Sequence, residues 1–267
     1  MPSAVDRAYP ETVAEFVVIG GTGQIGAKTV ARLRARGLDA AAASPRTGVD
    51  TLSGVGVDAA LGGAAVVIDV SKPHTHESEP VREFFTTATS RLTQAEREHG
   101  IRHHIGLSIV GSDRAHDIPF YRAKAAGEQI VRDSGVPWTL VHATQFFEFA
   151  PAIAASSDVG GEVLLPDALV QPAGGADVAD VLAELALGAA LEEDLEIAGP
   201  ERMPLADFVA RALRARGDVR PVRSGAAGLY FGGHLEADTL LPRTGARILP
   251  TTFGDWMLAS SEERGNG

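Results

Sequence analysis

The sequence predicts an α/β fold: a doubly wound parallel sheet, followed by a small C-terminal α+β region. Three features carry that prediction. Segments that read as strands recur at 15–19, 38–44, 64–70, 102–109 and 138–142, and the first and third carry the unbroken apolar runs 16–19 and 64–68, as strands buried on both faces require. Helical patterns separate these segments, which makes the strands parallel and the crossovers right-handed. A glycine-dense turn joins the first strand directly to the first helix.

Taken in order, residues 1–14 read as a polar arm. The first strand, 15–19, carries Phe16, Val17, Val18 and Ile19. The helix at 27–36 puts Ala27, Val30 and Leu33 on one face and stops at Gly37. The strand at 38–44 is rich in alanine. A mixed stretch at 47–62 holds a short helix at 57–61, and the strand at 64–70 follows. A long helix at 80–99 ends at Gly100. The strand at 102–109, the helix at 118–133 and the strand at 138–142 complete the alternation. Beyond Phe149 the pattern changes, with strands at 163–170 and 195–198 and helices at 176–187 and 204–216. Residues 262–267 read as an unstructured tail. The chain therefore divides into a larger unit, 1–150, and a smaller one, 151–267, packed on it.

Composition narrows the function classes. Of 267 residues, 45% are hydrophobic and 22% charged, an ordinary globular balance. A net charge of −11 argues against non-specific binding to nucleic acid or an anionic membrane, which depends on Lys and Arg. The absence of cysteine excludes disulfides, thiolate metal sites and cysteine nucleophiles. The first residues lack the basic and apolar regions of a signal peptide. The longest near-apolar run, 61–70, falls short of the roughly 20 residues that span a bilayer. The expectation is a soluble cytoplasmic protein, monomer or homodimer, with a small-molecule substrate and no nucleic-acid or membrane partner.

The turn reads Gly20-Gly21-Thr22-Gly23-Gln24-Ile25-Gly26. Its G-x-x-G-x-x-G spacing is a variant of the dinucleotide fingerprint of Rossmann-type domains. Gly20 permits the tight exit from the strand. Gly23 lets the backbone approach a pyrophosphate, and Gly26 lets helix and strand pack closely. Amides of the first helical turn then face the phosphates, favoured by the helix dipole. These residues, from Gly20 through Thr22, Gly23, Gln24 and Ile25 to Gly26, are the expected phosphate cradle for a nicotinamide dinucleotide. After the second strand, Ser44-Pro45-Arg46 offers a hydroxyl and a guanidinium but no carboxylate. Arg46 and Ser44 therefore suit a ribose 2′-phosphate, and NADP(H) is favoured over NAD(H). Asp39 lies at the other end of that strand. Asp69, Val70 and Ser71 end a strand at the carboxyl edge, where such sheets place ligands, and are expected to border the adenine ribose or the nicotinamide.

With the segments Ile105 to Gly111, Ile118 to Lys124 and Thr144 to Phe149, the chain resembles the atypical short-chain dehydrogenases/reductases, and within them the NmrA-like NAD(P)-binding branch. Ala176-Asp177-Val178-Ala179 and Ala198-Gly199-Pro200-Glu201 extend the resemblance through the second half. It implies an NADP(H)-dependent oxidoreductase moving hydride to or from a small carbonyl, enone or quinone. In that family a Tyr protonates the substrate oxygen, a Lys four residues later holds the nicotinamide ribose, and a Ser at a strand end orients the substrate. Lys124 and Ser108 match. The position four before Lys124 is Phe120, and Tyr121 lies three before, rotated by about 100° per residue of helix. Lys124, Tyr121 and Ser108 are the candidate catalytic residues, with Lys124 also a cofactor ligand. The departure at Phe120 keeps two alternatives open: a non-catalytic NADP(H) sensor, and a redox-neutral isomerase or cyclase.

Other groups read more plainly. His74 and His76 lie in a loop without cysteine and are expected to be solvated, so no metal site is expected. His103 and His104 are adjacent. His142 suits either a pocket proton donor or a structural contact. Lys124 and Glu128 could form an exposed i,i+4 ion pair. Gln145, Phe146, Phe147 and Phe149 suit a substrate wall or a core, as do Tyr230, Phe231 and Trp256.

Overall fold

The structure, a computed structural model, describes residues 14–73 and 78–265, with side chains to residue 260. The His74–His76 pair and nearly all of the expected N-terminal arm lie outside the described residues.

The first half alternates as expected. Strand β1 (Phe16–Ile19) leads to helix α1 (Gln24–Ala35), β2 (Ala40–Ala43), α2 (Val57–Leu61) and β3 (Val66–Asp69). Then come α3 (Ser78–Glu83), a π-helical turn (Phe84–Ala88), α4 (Thr89–His99) and β4 (His103–Ile109). Helix α5 (Pro119–Arg132) and β5 (Trp138–Ala143) close this half. The second half runs through α6 (Ala150–Ser156), β6 (Asp158–Val159), β7 (Glu162–Leu165), β8 (Leu169–Val170), α7 (Gly175–Leu185) and β9 (Asp194–Ala198). It ends with β10 (Met203–Pro204), α8 (Leu205–Arg214), β11 (Val222–Ser224), β12 (Arg247–Ile248) and α9 (Phe253–Gly265).

Seven strands form one sheet in the order β12-β9-β5-β4-β3-β1-β2, and every pairing is parallel. The strand order reverses at β1, between β2 and β3, which is where open α/β sheets present a crevice at their carboxyl edge. Both faces are covered. Val18, Ile68, Ile105 and Val141 pack with Val30 and Leu33 of α1 and with Leu182 of α7. Val17, Ile19 and Val67 point the other way, onto Leu61 and Leu92. That alternation is the two-residue period of a strand with both faces buried. A separate core gathers Ile153, Val163, Leu165, Phe208 and Phe253 in the second half. Helix α8 buries Leu205, Phe208, Val209, Ala212 and Leu213, the stripe of an amphipathic helix.

Four features differ from the sequence expectation. The strand expected at 163–170 is broken at Pro166, which has no N–H for a ladder; β7 pairs with β6 and β11, while β8 pairs with β10. The long helix at 80–99 carries the π turn near its start. The central sheet draws β9 and β12 from beyond residue 150. The expected tail includes four residues of α9, which runs to Gly265. No helix among the described residues is long and apolar enough to cross a membrane.

Candidate active site

The carboxyl edge begins with the glycine turn. Gly20 has φ +78°, a left-handed conformation that glycine alone adopts freely. Its N–H donates to Ala43 O at 2.8 Å, and its carbonyl accepts from Gly23 N at 2.9 Å. At Gly26 a Cβ would lie 2.3 Å from Gly20 O, so only glycine lets α1 sit this close to the strand exit. Gly21 has the same constraint against Ala42, with 2.6 Å to its Cα. That contact sets Ala42, the third of the four alanines of β2, directly against the glycine turn. Gly23 and Gln24 are exposed, whereas Ile25 is buried in the core. The N-terminus of α1 has neither a side-chain cap nor an acidic residue in its first turn. Its leading amides have no intrahelical acceptor, so they suit an anion.

Beside the turn, Thr22 Oγ1 donates to Ser44 Oγ at 2.9 Å, tying the turn to the end of β2. Ser44 caps a single 3-10 turn, Pro45–Thr47, and its N–H donates to Thr47 Oγ1 at 2.9 Å. Arg46 on that turn is exposed and makes no ion pair among the described residues. Ser71 packs directly beside Gly20: a Cβ on Gly20 would lie 2.9 Å from the Ser71 backbone. Val70 N–H donates to Ile19 O at 3.0 Å, and Asp69 Oδ1 accepts from Ser71 N–H at 2.9 Å.

Asp69, Ser108 and Lys124 come together around a cavity of about 20 Å³, with His104, Thr89, Phe85 and Glu128. This space suffices for about one water. Lys124 Nζ lies over the Phe85 ring at 4.7 Å. Burial pulls its ammonium below the ordinary lysine value, against the opposing charges of Asp69 and Glu128. The expected exposed Lys124–Glu128 pair is a different arrangement in the structure. Glu128 is buried and accepts from the Ser108 hydroxyl. His142 Nε2 lies 3.3 Å from its carboxylate and Arg132 Nη2 3.4 Å. Burial opposes its charge, but His142, Ser108 and Ser112 outweigh it and hold Glu128 at about 2. His142 faces this cluster, the structural contact among its two readings. His104 Nδ1 lies 2.8 Å from buried Glu96, which keeps the imidazole above its ordinary value despite burial. His103 points elsewhere, to Thr139 Oγ1 at 2.9 Å, and burial pushes it down to about 4.

Tyr121 does not line that cavity. It is 2% exposed and belongs to the second core, in edge contact with Phe120 and Tyr230. Its oxygen accepts from Gln145 Nε2 at 3.2 Å and also meets the Tyr230 hydroxyl. Burial raises its pKa well above the ordinary phenol value. Tyr230 comes from the far end of the chain, so no local signal could have revealed this partner. Gln145 Oε1 is buried and has no hydrogen-bond partner among the described residues. The motifs of the second half are anchors. Asp177 accepts from Thr251 N and Oγ1, at 3.0 and 2.8 Å, and Glu201 accepts from Phe253 N–H at 2.6 Å. Glu148, which the sequence did not single out, accepts from Gly175 N at the start of α7.

This sheet order, with its glycine turn at the reversal point, defines the class: a Rossmann-like doubly wound fold. UDP-glucose 4-epimerase of Thermus thermophilus, solved with NAD, superposes with a TM-score of 0.63 at 19% identity, covering 85% of this chain and 91% of that one. NADPH-dependent quinone oxidoreductase of Escherichia coli, solved with NADPH, gives 0.63 at 16% identity over 92% and 99%. No family model matches the chain. A curated relative is more specific. The (4-alkanoyl-5-oxo-2,5-dihydrofuran-3-yl)methyl phosphate reductase of Streptomyces griseus is 30% identical over 226 residues, 78% of this chain and 75% of that protein. The chain belongs to the family of that reductase.

Proposed function

We propose that this protein is an NADP(H)-dependent reductase that transfers hydride between the nicotinamide and a small carbonyl, enone or quinone. The observation that carries the reading is the uncapped start of α1, with exposed Gly23, set where the strand order reverses and on the same edge as Ser108 and Lys124. The relative supports the enone class, since its printed substrate is a 5-oxo-2,5-dihydrofuran.

The bound dinucleotide supplies the hydride. The chain's residues supply position and protons. The glycine turn and the amides of Gln24, Ile25 and Gly26 hold the pyrophosphate. Thr22, Ser44 and Arg46 take the adenine ribose, Arg46 facing a 2′-phosphate. Asp69, Val70 and Ser71 border the crevice between β1 and β3. Lys124 holds the nicotinamide ribose, and Ser108, which gives its proton to Glu128, meets the substrate as an acceptor and orients the hydroxyl of its reduced form. Tyr121 is the candidate proton donor; with its hydroxyl bonded to Gln145 and Tyr230 in the second core, delivery requires that contact to open towards Ser108 and Lys124.

The test is NADPH consumption against quinones, enones and ketones. Turnover that disappears in Lys124→Ala supports the reading; tight NADPH binding without turnover of any of them refutes it. That second result is the expectation of the competing reading, a dinucleotide sensor. Phe120 at the position four before Lys124, with Tyr121 enclosed in the second core, favours it.

A further inference from the structure

Lys72 stands just beyond β3, next to the Ser71 backbone that packs on Gly20. Its Nζ lies 5.7 Å from the centroid of the Phe149 ring. Phe149 follows β5, and β4 lies between β3 and β5 in the sheet. The Lys72 side chain therefore reaches across the end of β4, the strand that carries Ser108. Lys72 is exposed, and no carboxylate among the described residues pairs with it. Two arginines nearby are engaged: Arg243 is bonded to Asp113, and Arg114 donates to Leu241 O at 3.0 Å.

The wall beside Lys72 is aromatic. Phe149 meets Phe231 at 6.2 Å, Phe231 meets Tyr230 at 4.9 Å, and Tyr230 meets Tyr121 at 6.4 Å. Phe231 is held at φ +47°, and Gly232 at +81°, in a two-residue turn closed by hydrogen bonds between Tyr230 and Gly233. A bulky residue at positive φ is strained, so surrounding structure must hold it there. Gly233 is pinned on Asp117 and Ile118, at the start of α5. The row of rings thus runs from the Tyr121 phenol to the Lys72 ammonium.

We infer that Lys72 reads an anionic group, a phosphate or carboxylate, on a substrate whose unsaturated part lies against Phe149 and Phe231, the partly exposed end of this row. This rests on the reductase reading above and narrows it from small carbonyls in general to anionic ones. A protein of net charge −11 repels such a substrate overall, so one unpaired ammonium at the mouth gives local attraction and selects for the anion. The same chemistry could come from the cofactor's pyrophosphate, and the test separates the two.

The probes are an enone bearing a phosphate monoester and the same enone with the free alcohol. Their dissociation constants are measured on the full chain saturated with NADPH, and NADPH affinity is measured separately. Lys72→Met keeps the aliphatic stem and removes the charge. It is expected to weaken the phosphate ester by at least about tenfold and the alcohol and NADPH by less than about twofold, with Lys72→Arg restoring most of the loss. Raised salt should shrink the difference in the wild type. An unchanged ratio of ester to alcohol overturns the inference, as does a wild type that does not prefer the ester. A loss of NADPH affinity with the ratio unchanged assigns Lys72 to the cofactor and also overturns it. Binding of the ester without NADPH oxidation would defeat the reductase reading while leaving the Lys72 ratio decisive.

Discussion

Replacing Glu128 by Gln isolates a buried charge that the fold has stabilised. The carboxyl is 4% exposed and held at about 2, against an ordinary 4.5. Burial alone would raise that value, so the contacts with His142, Ser108 and Ser112 more than offset the desolvation. A difference of this size corresponds to roughly 3 kcal/mol of folding stability. Because the folded value is the lower one, the stability is fully present above about 4.5 and is lost as pH falls through that value towards 2. Glu128→Gln keeps an oxygen for the Ser108 hydroxyl but removes the charge. It should be less stable than the native protein by about 3 kcal/mol at neutral pH, with the gap closing as the medium is acidified. Urea unfolding of both proteins at several pH values reads this directly. A gap that stays constant from neutral pH to pH 3 would show that Glu128 is not the group responsible, and the electrostatic account of the cluster would fail.

Gly26→Ala places a methyl group 2.3 Å from Gly20 O, so α1 must shift outward; a loss of about 1–3 kcal/mol in urea unfolding and weaker NADPH binding are expected, and unchanged affinity would contradict the cradle. Arg46→Ala should weaken NADPH by about tenfold or more and leave NADH nearly untouched; equal losses remove the 2′-phosphate assignment. Tyr121→Phe leaves Gln145 Nε2 and the Tyr230 hydroxyl without their acceptor, which costs about 1–3 kcal/mol in thermal or urea unfolding. If Tyr121 delivers the proton, turnover by that variant also falls by about a hundredfold or more; turnover at the native rate assigns the proton to another group.

Much of the sheet was legible because its signals are local. Phe16 to Ile19 form an unbroken apolar run, and the glycine turn follows without a gap. The signal at β2 was weak because four alanines favour a strand little, and only the structure shows Ala42 lying against Gly21. What stayed hidden depends on contacts distant in the chain. Nothing near Tyr121 indicates that Tyr230 and Gln145 enclose its hydroxyl. Lys124 and Glu128 have the spacing of an exposed ion pair, and only β4 and β5, by supplying Ser108 and His142, show that the carboxylate is buried. The strand expected at 163–170 fits the apolar pattern, yet Pro166 divides it between two small sheets. Helix α9 escaped notice because its apolar residues fall on no single face, and its start depends on a cap from Glu201, far back in the chain.

The two strands that the second half lends to the main sheet bear on how the polypeptide matures. Until residues 194–198 have been synthesised, β5 presents an open margin of backbone donors and acceptors, flanked by Val141 and other apolar side chains. Such a margin invites pairing with the wrong partner. A fragment cut near residue 150 would keep the nucleotide turn yet expose that margin permanently, and should aggregate rather than serve as a small stand-alone binding module. Folding to the finished form must await the return of the chain, which places a late, long-range closure at the end of its assembly.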